Sequence, residues 1–268
     1  MPGRYAELVM YVAPQPVKVA SEQWLTRIVE LLDVPRRDGR GLELLELFRS
    51  PDLLLTQTCG YPLMTLLRGQ VQLVGRPRYE LNDSSAGNHC SLIVSRATDP
   101  RTDLADFKGS RGVINDLHSN SGMNLFRHRL APLQQGGRFF ASVAISGAHQ
   151  QSLRHVREGW ADLACIDSVT FDCLARYAPA EVAGLRTVAR TENSPTLHHR
   201  ARHRARWCRA DSPGNESGFA AIAAGQGCIG CAGGIAGQRS GLSTCTRSSA
   251  SRHRMWICST GLDVFLVK

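Results

Sequence analysis

Long apolar runs are missing from this 268-residue chain, and no stretch nears the roughly 18 apolar residues that a membrane span requires. The opening residues, Met1-Pro2-Gly3-Arg4-Tyr5-Ala6-Glu7, lack a basic segment followed by an apolar one, so they do not read as a secretory signal. That leaves the cytoplasm open as a location, or else an export signal lies outside the sequence. No Gly-Lys-Ser/Thr follows a glycine-rich loop, which excludes a nucleotide-binding P-loop. Nine cysteines in a chain of this length are too sparse for a disulfide-dense secreted scaffold. Cys228-Ile-Gly-Cys231 has the spacing of a redox or zinc half-site, but no second pair completes it, so neither a metal nor a cofactor is expected.

What is present divides the chain in two. The net charge of +9 would suit a nucleic-acid binder, yet it is unevenly spread. Residues 1–192 hold 22 Lys and Arg against 20 Asp and Glu, while residues 193–268 hold 10 against 3. The body is nearly neutral and carries no recognition-helix or zinc-finger pattern, so nucleic acid is not an expected partner.

Strand and helix signals alternate through the body. Residues 5–12 read as a buried strand ended by Pro14 and Pro16, and Ser21 as the cap of a helix carrying Trp24, Leu25, Ile28, Val29, Leu31 and Leu32. Leu42–Phe48 is a short helix, Leu53–Thr58 a strand, Leu63–Leu67 a helix and Val71–Val74 a strand. A polar linker, Pro77–Asn88, leads to a second series. Its predicted strands are Ser91–Arg96, Gly112–Asn115, Phe139–Ile145, Leu163–Ile166 and Leu185–Val188, with helices between them. This alternation predicts an α/β fold with parallel sheets in two similar lobes, residues 1–88 and 89–190. After about Thr191 the pattern stops. Residues 191–268, with their His/Arg run, Gly/Ala-rich Ala220–Gly241 and Ser/Arg-rich Ser240–Arg254, are expected to form an irregular tail. Pro195–Ala201 can be encoded by codons that, read one nucleotide later, give a strand-like Pro-Arg-Phe-Ile-Thr-Ala, and on that ground a frameshift near residue 193 is expected.

Three polar clusters follow predicted strands. Asn115-Asp-Leu-His-Ser-Asn-Ser-Gly122 lies between a strand and a helix, where small hydroxyl residues and a glycine let backbone N–H groups approach an anion. The same segment also reads as an ordinary helix cap. Ser146-Gly-Ala-His149 puts an imidazole donor at the next strand end, and Ala164-Cys-Ile-Asp167-Ser168 puts a carboxylate there, able to accept from a protonated oxygen or an ammonium group. Ser121, His149 and Asp167 are also the residue types of a hydrolytic triad, but no Gly-x-Ser-x-Gly elbow surrounds Ser121, and no catalytic residue is expected.

Five segments carry a family likeness: Asp52-Leu-Leu-Leu-Thr-Gln-Thr-Cys-Gly-Tyr-Pro62, Ser119-Asn-Ser-Gly-Met-Asn124, Gly137-Arg-Phe-Phe140, Ser146-Gly-Ala-His149 and Ala161-Asp-Leu-Ala-Cys-Ile-Asp-Ser168. In that order and spacing, residues 5–190 resemble the phosphate/phosphonate ABC-transporter periplasmic substrate-binding proteins. The resemblance implies a type II periplasmic-binding-protein fold that clamps a phosphonate, phosphate or phosphite between two lobes, without being an enzyme. It implies that Ser119, Asn120, Ser121 and Gly122 cradle the oxygens, that His149 contacts them, and that Asp167 and Ser168 stand opposite. Tyr11 and Tyr61 would line the cleft from the first lobe. His89-Cys90-Ser91 stands where the family often has Tyr-x-Ser, so one aromatic wall contact is lost. The implied partners are the oxyanion and, for an exported monomer, an ABC permease; a cytoplasmic sensor of the same fold is the alternative. The fold also implies that the chain returns to the first lobe, which residues 193–268 do not look able to supply. The first lobe is therefore expected to be incomplete, and binding weak or folding poor.

Overall fold

A computed structural model describes residues 3–75, 77–79, 81–85, 88–196 and 198–201. In chain order the elements are β1 (Arg4–Glu7), α1 (Gln15–Leu32), β2 (Arg36–Arg37), α2 (Leu44–Arg49), β3 (Leu53–Thr58), α3 (Gly60–Thr65) and β4 (Gln72–Gly75). There follow β5 (Ser84–Ser85), β6 (Asn88–His89), β7 (Ser91–Arg96), β8 (Arg111–Ile114), α4 (Leu125–Leu130), β9 (Ser142–Ile145) and α5 (His149–Arg157). The last are β10 (Leu163–Asp167), α6 (Ser168–Tyr177), β11 (Leu185–Arg190), β12 (Ser194–Pro195) and β13 (His198–Ala201).

The strands form two five-stranded sheets, in orders β2-β1-β3-β13-β4 and β11-β7-β10-β8-β9, and a three-stranded ribbon, β12-β6-β5. Neither large sheet is wholly parallel, contrary to the expectation from alternation. In the second sheet β10, β8 and β9 run parallel, while β7 lies antiparallel to both β10 and β11. Direction is set by the connections: β7 enters from the ribbon rather than through a crossover helix. The ribbon pairs β6 with β12, where the chain first passes to the second sheet and later returns.

α1 starts six residues before the expected cap at Ser21. The first strand ends at Glu7, short of the expected 5–12, and Pro14 and Pro16 instead open the helix, since proline fits a helix's first turn, where its missing N–H would have no partner. One face of α1 buries Val17, Trp24, Leu25, Ile28 and Val29. Four of these, Trp24, Leu25, Ile28 and Val29, pack with Ala6, Leu8, Leu55 and Val74 of the first sheet. On the second sheet Leu153 and Val156 of α5 meet Leu92, Val94, Val113, Ala164 and Ile166. Phe107, Phe126 and Phe139 fill another cluster with Ile93, Ile114 and Cys165. The predicted strand from Phe139 is shorter, Ser142–Ile145, because Phe139 and Phe140 turn inward to pack edge-to-face, 4.9 Å apart.

Regular structure continues beyond Val188. β12 and β13 fall inside the segment expected to be an irregular tail, and β13 inserts between β3 and β4, antiparallel to both. A strand flanked on both edges gains hydrogen bonds along its whole backbone, so pairing prevails over weak patterning. The return to the first sheet is thus supplied as far as Ala201, which removes that reason for expecting weak binding. Ala220–Gly241, Ser240–Arg254 and Cys228-Ile-Gly-Cys231, for which the sequence gives expectations, lie outside the described residues.

Leu153 is fully buried in the second sheet's core. Leu153→Ala is expected to lower unfolding free energy by about 2–5 kcal/mol, read as a shift in denaturant midpoint at unchanged slope.

Candidate functional site

The order β10-β8-β9 explains why three clusters far apart in sequence meet. These strands are neighbours and run the same way, so their carboxyl ends share one edge of the sheet. β8 delivers Ser119–Gly122, β9 delivers His149 and β10 ends at Asp167, each followed by a helix or helical turn. Ligands of open α/β sheets sit at such strand ends.

The first helical segment opens as a π-helical turn, Asn120–Asn124, before α4. Ser119 caps it, its Oγ accepting from the Gly122 N–H at 3.0 Å. The cap reading therefore holds for Ser119, while Ser121 does something else. Its Oγ lies 3.0 Å from His149 Nε2. A proton on Nε2 makes His149 the donor and leaves the Ser121 hydroxyl proton free for an anion; a proton on Nδ1 reverses the bond. Nδ1 is sealed from solvent near the Cys165 backbone, out of line for a good hydrogen bond. Burial pushes the His149 pKa below its ordinary value, against the pull of Asp167. Gly122 is required by closeness: a Cβ there would stand 1.8 Å from Asn115 Oδ1 and 3.0 Å from His149 Cε1. Asn120 reaches the returning chain, donating from Nδ2 to Ser194 Oγ at 3.0 Å.

Asp167 is the most heavily contacted group. Its Oδ1 accepts from the Thr170 N–H at 3.1 Å and from the Tyr11 hydroxyl at 3.3 Å. Its Oδ2 lies 2.9 Å from His89 Nδ1, with both side chains only 3% exposed. The His89 N–H is not aimed along that line, so the attraction is chiefly coulombic. Burial alone would raise the Asp167 pKa; the charge of His89 overrides it and lowers the pKa to about 2. For His89, burial acts to lower the pKa and Asp167 overrides it, leaving it raised.

Tyr11 follows β1 at that strand's carboxyl end and bridges from the first sheet to Asp167. Tyr79 meets it edge-to-face, centroids 5.8 Å apart. Tyr61, on α3, is 36% exposed, and among the described residues no hydrogen bond or ring contact joins it to this cluster. Ser168 is buried with its hydroxyl engaged, 2.9 Å from Ser84 Oγ and donating to the Asp83 carbonyl at 3.1 Å. It braces α6 against the start of the ribbon at Asp83 and Ser84. A shallow depression of about 520 Å³ along α1, lined by Gln15, Lys18, Val19, Glu22, Gln23 and Thr26, shares no residue with the cluster.

Sequence reading missed His89 and Tyr79 as members of the site. Tyr79 gave no periodic signal, and His89 was seen only as the loss of an aromatic. Its position follows from the antiparallel pairing that sets Ser91 opposite Asp167, two residues away.

The chain matches the model of the ABC transporter, phosphonate, periplasmic substrate-binding protein family over residues 43–208. Two features define the class: a periplasmic-binding-protein fold of two sheets, and polar strand ends gathered at one sheet edge. The match covers more than half of the chain, so the chain belongs to the phosphonate periplasmic substrate-binding family of ABC transporters. The match also runs past the break expected near residue 193. No curated protein matches the chain. Among solved structures it is similar to PhnD1 from Prochlorococcus marinus in complex with methylphosphonate (15% identity, TM-score 0.60, 72% of this chain and 74% of that one). It is similar to a binding protein component of an ABC phosphonate transporter from Pseudomonas aeruginosa (13%, 0.63, 76% and 69%). It is similar also to the periplasmic aliphatic sulphonate binding protein SsuA from Escherichia coli (13%, 0.51, 77% and 63%).

The sign of each shift sets a pH window for the His89–Asp167 pair. The depressed carboxylate pKa contributes stability that is present above about pH 4 and lost as pH falls towards 2. The raised imidazole pKa contributes stability that is full below about pH 6.5 and lost as pH rises through the folded value. Thermal melts across this range are expected to show both limbs. His89→Ala is expected to cost about 3 kcal/mol near pH 6 and to flatten the alkaline limb. A second variant, Gly122→Ala, is expected to cost about 1–3 kcal/mol through the clash with Asn115 and His149.

Proposed function

We propose that the chain binds a small phosphorus oxyanion, a phosphonate, phosphate or phosphite, in a cleft between two lobes and delivers it to an ABC permease. The lobes are residues 1–88 and 89–190, built on the two large sheets, with β12 and β13 crossing back. Family membership supports the ligand class. The observation that carries the reading is the convergence of Ser119–Gly122, His149 and Asp167 at three adjacent strand ends, reached from the first sheet by Tyr11.

Capture takes the anion out of water, so each lost hydration bond must be replaced by a donor. The helix opening at Asn120, the Ser121 hydroxyl and the His149 ring are suitable donors. Tyr11 and Tyr61 are the proposed wall of the first lobe, with Tyr61 moving in as the lobes close. Ser168 would act on the cleft by fixing the start of α6. The paired crossings β6 and β12 are short and carry few hydrogen bonds, which suits a hinge, the usual motion of such two-lobed binders. The protein works as a monomeric, exported, non-catalytic receptor.

Hydrolysis is disfavoured by the same geometry. Ser121 and His149 form the nucleophile–base half of a triad, but Asp167 is engaged by His89, Tyr11 and Thr170 instead of His149 Nδ1.

Titration calorimetry of the full chain with methylphosphonate, phosphite and phosphate is expected to give saturable binding of at least one. Ser121→Ala is expected to weaken it by about tenfold or more, since a hydrogen bond to a charged group is lost. Absence of saturable heat from all three would sink the proposal.

A further inference from the structure

The carboxylate at the end of β10 invites two ligand chemistries, a protonated phosphorus oxygen or an ammonium group on a longer substituent. The buried partner of that carboxylate distinguishes them. Resting on the oxyanion reading above, we infer that His89 is a specificity residue. By neutralising Asp167 it leaves no acidic group to receive a cationic substituent, so the site takes phosphorus oxyanions bearing hydrogen, oxygen or a small alkyl group and disfavours aminoalkyl phosphonates.

Four observations support this. Oδ2 of Asp167 is held at 2.9 Å by an imidazole as deeply buried as itself. Oδ1 already accepts from Tyr11 and from the Thr170 N–H. Of a carboxylate's about four acceptor positions, three already face Tyr11, the Thr170 N–H and His89, so little of Asp167 is left to accept from an ammonium group. The other acids around it, among the described residues, are themselves engaged: Asp83 is bound by Arg190 at 2.8 Å, Asp172 is approached by the Asn82 amide and the Asp83 N–H, and Asp116 caps its own turn through the His118 N–H. An ammonium brought beside Asp167 would also face the imidazolium. Like charges in a poorly solvated site repel, and that penalty falls only on the aminoalkyl ligand.

The test is calorimetry of the full chain at about pH 6, below the ordinary imidazole pKa, with methylphosphonate and 2-aminoethylphosphonate. Wild-type protein is expected to bind methylphosphonate about tenfold more tightly or better. His89→Asn frees Asp167 and is expected to narrow or invert that ratio. The double variant His89→Asn, Asp167→Asn removes both charges, leaves no lone buried ion, and is expected to return the ratio towards the wild-type value. Equal or tighter wild-type binding of 2-aminoethylphosphonate overturns the inference and leaves the oxyanion reading standing. So does a ratio unmoved in a folded His89→Asn protein. Binding of neither compound, nor of phosphate or phosphite, overturns both. Should the single variant fail to fold, the wild-type ratio decides.

Discussion

A buried carboxylate cannot stand alone, and the answer to that constraint at Asp167 organises the middle of this protein. Bare ionisation in a poorly solvated interior is costly enough that the group would otherwise take up a proton. Here three groups from three parts of the chain keep it charged: the Tyr11 hydroxyl after the first strand, the charge of His89 on the ribbon and the Thr170 N–H in the first turn of α6. One side chain therefore joins the first sheet, the crossing and the second sheet. It sits where relative movement of the sheets would be felt, because Tyr11 reaches it from the far side.

The rest of the site is built from cheaper parts. Ser119, Gly122 and Asn124 form a helix opening with its own internal bonds, and a glycine is needed only because Asn115 and His149 leave no room for a methyl group. Donors include neutral hydroxyls and an imidazole of lowered pKa. Three arginines gather elsewhere. Arg96, Arg101 and Arg111 converge on Asp162, just before β10 begins, at the opposite end of that strand from Asp167. Neutral donors discriminate by geometry and by proton count, which suits the proposed capture of small oxyanions that differ in one substituent.

Much of the fold was legible residue by residue. Leu53–Thr58 and Ser91–Arg96 stand where the apolar runs Leu53–Leu55 and Leu92–Val94 put them, since a strand covered on both faces needs a compact apolar run. Ser119, His149 and Asp167 were readable as strand-end polar residues because each follows an apolar run directly. The start of α1 was misplaced because Pro14 and Pro16 read as the end of a strand, whereas they sit in the first turn of the helix. β13 was invisible, since its hydrogen bonds come from β3 and β4 on either side and demand no pattern of its own.

Taken by itself, the sequence determined which segments could be strands and helices, and which polar residues closed them, because burial and capping act over a few neighbours. Only the tertiary structure decided strand direction and order, and these bring together residues separated by scores of positions. The antiparallel entry of β7 sets His89 against Asp167, and the return through the ribbon sets Ser194 against Asn120. No local pattern encodes either contact. Each exists because a buried polar group needs a partner, and the only partners within reach are those the topology delivers.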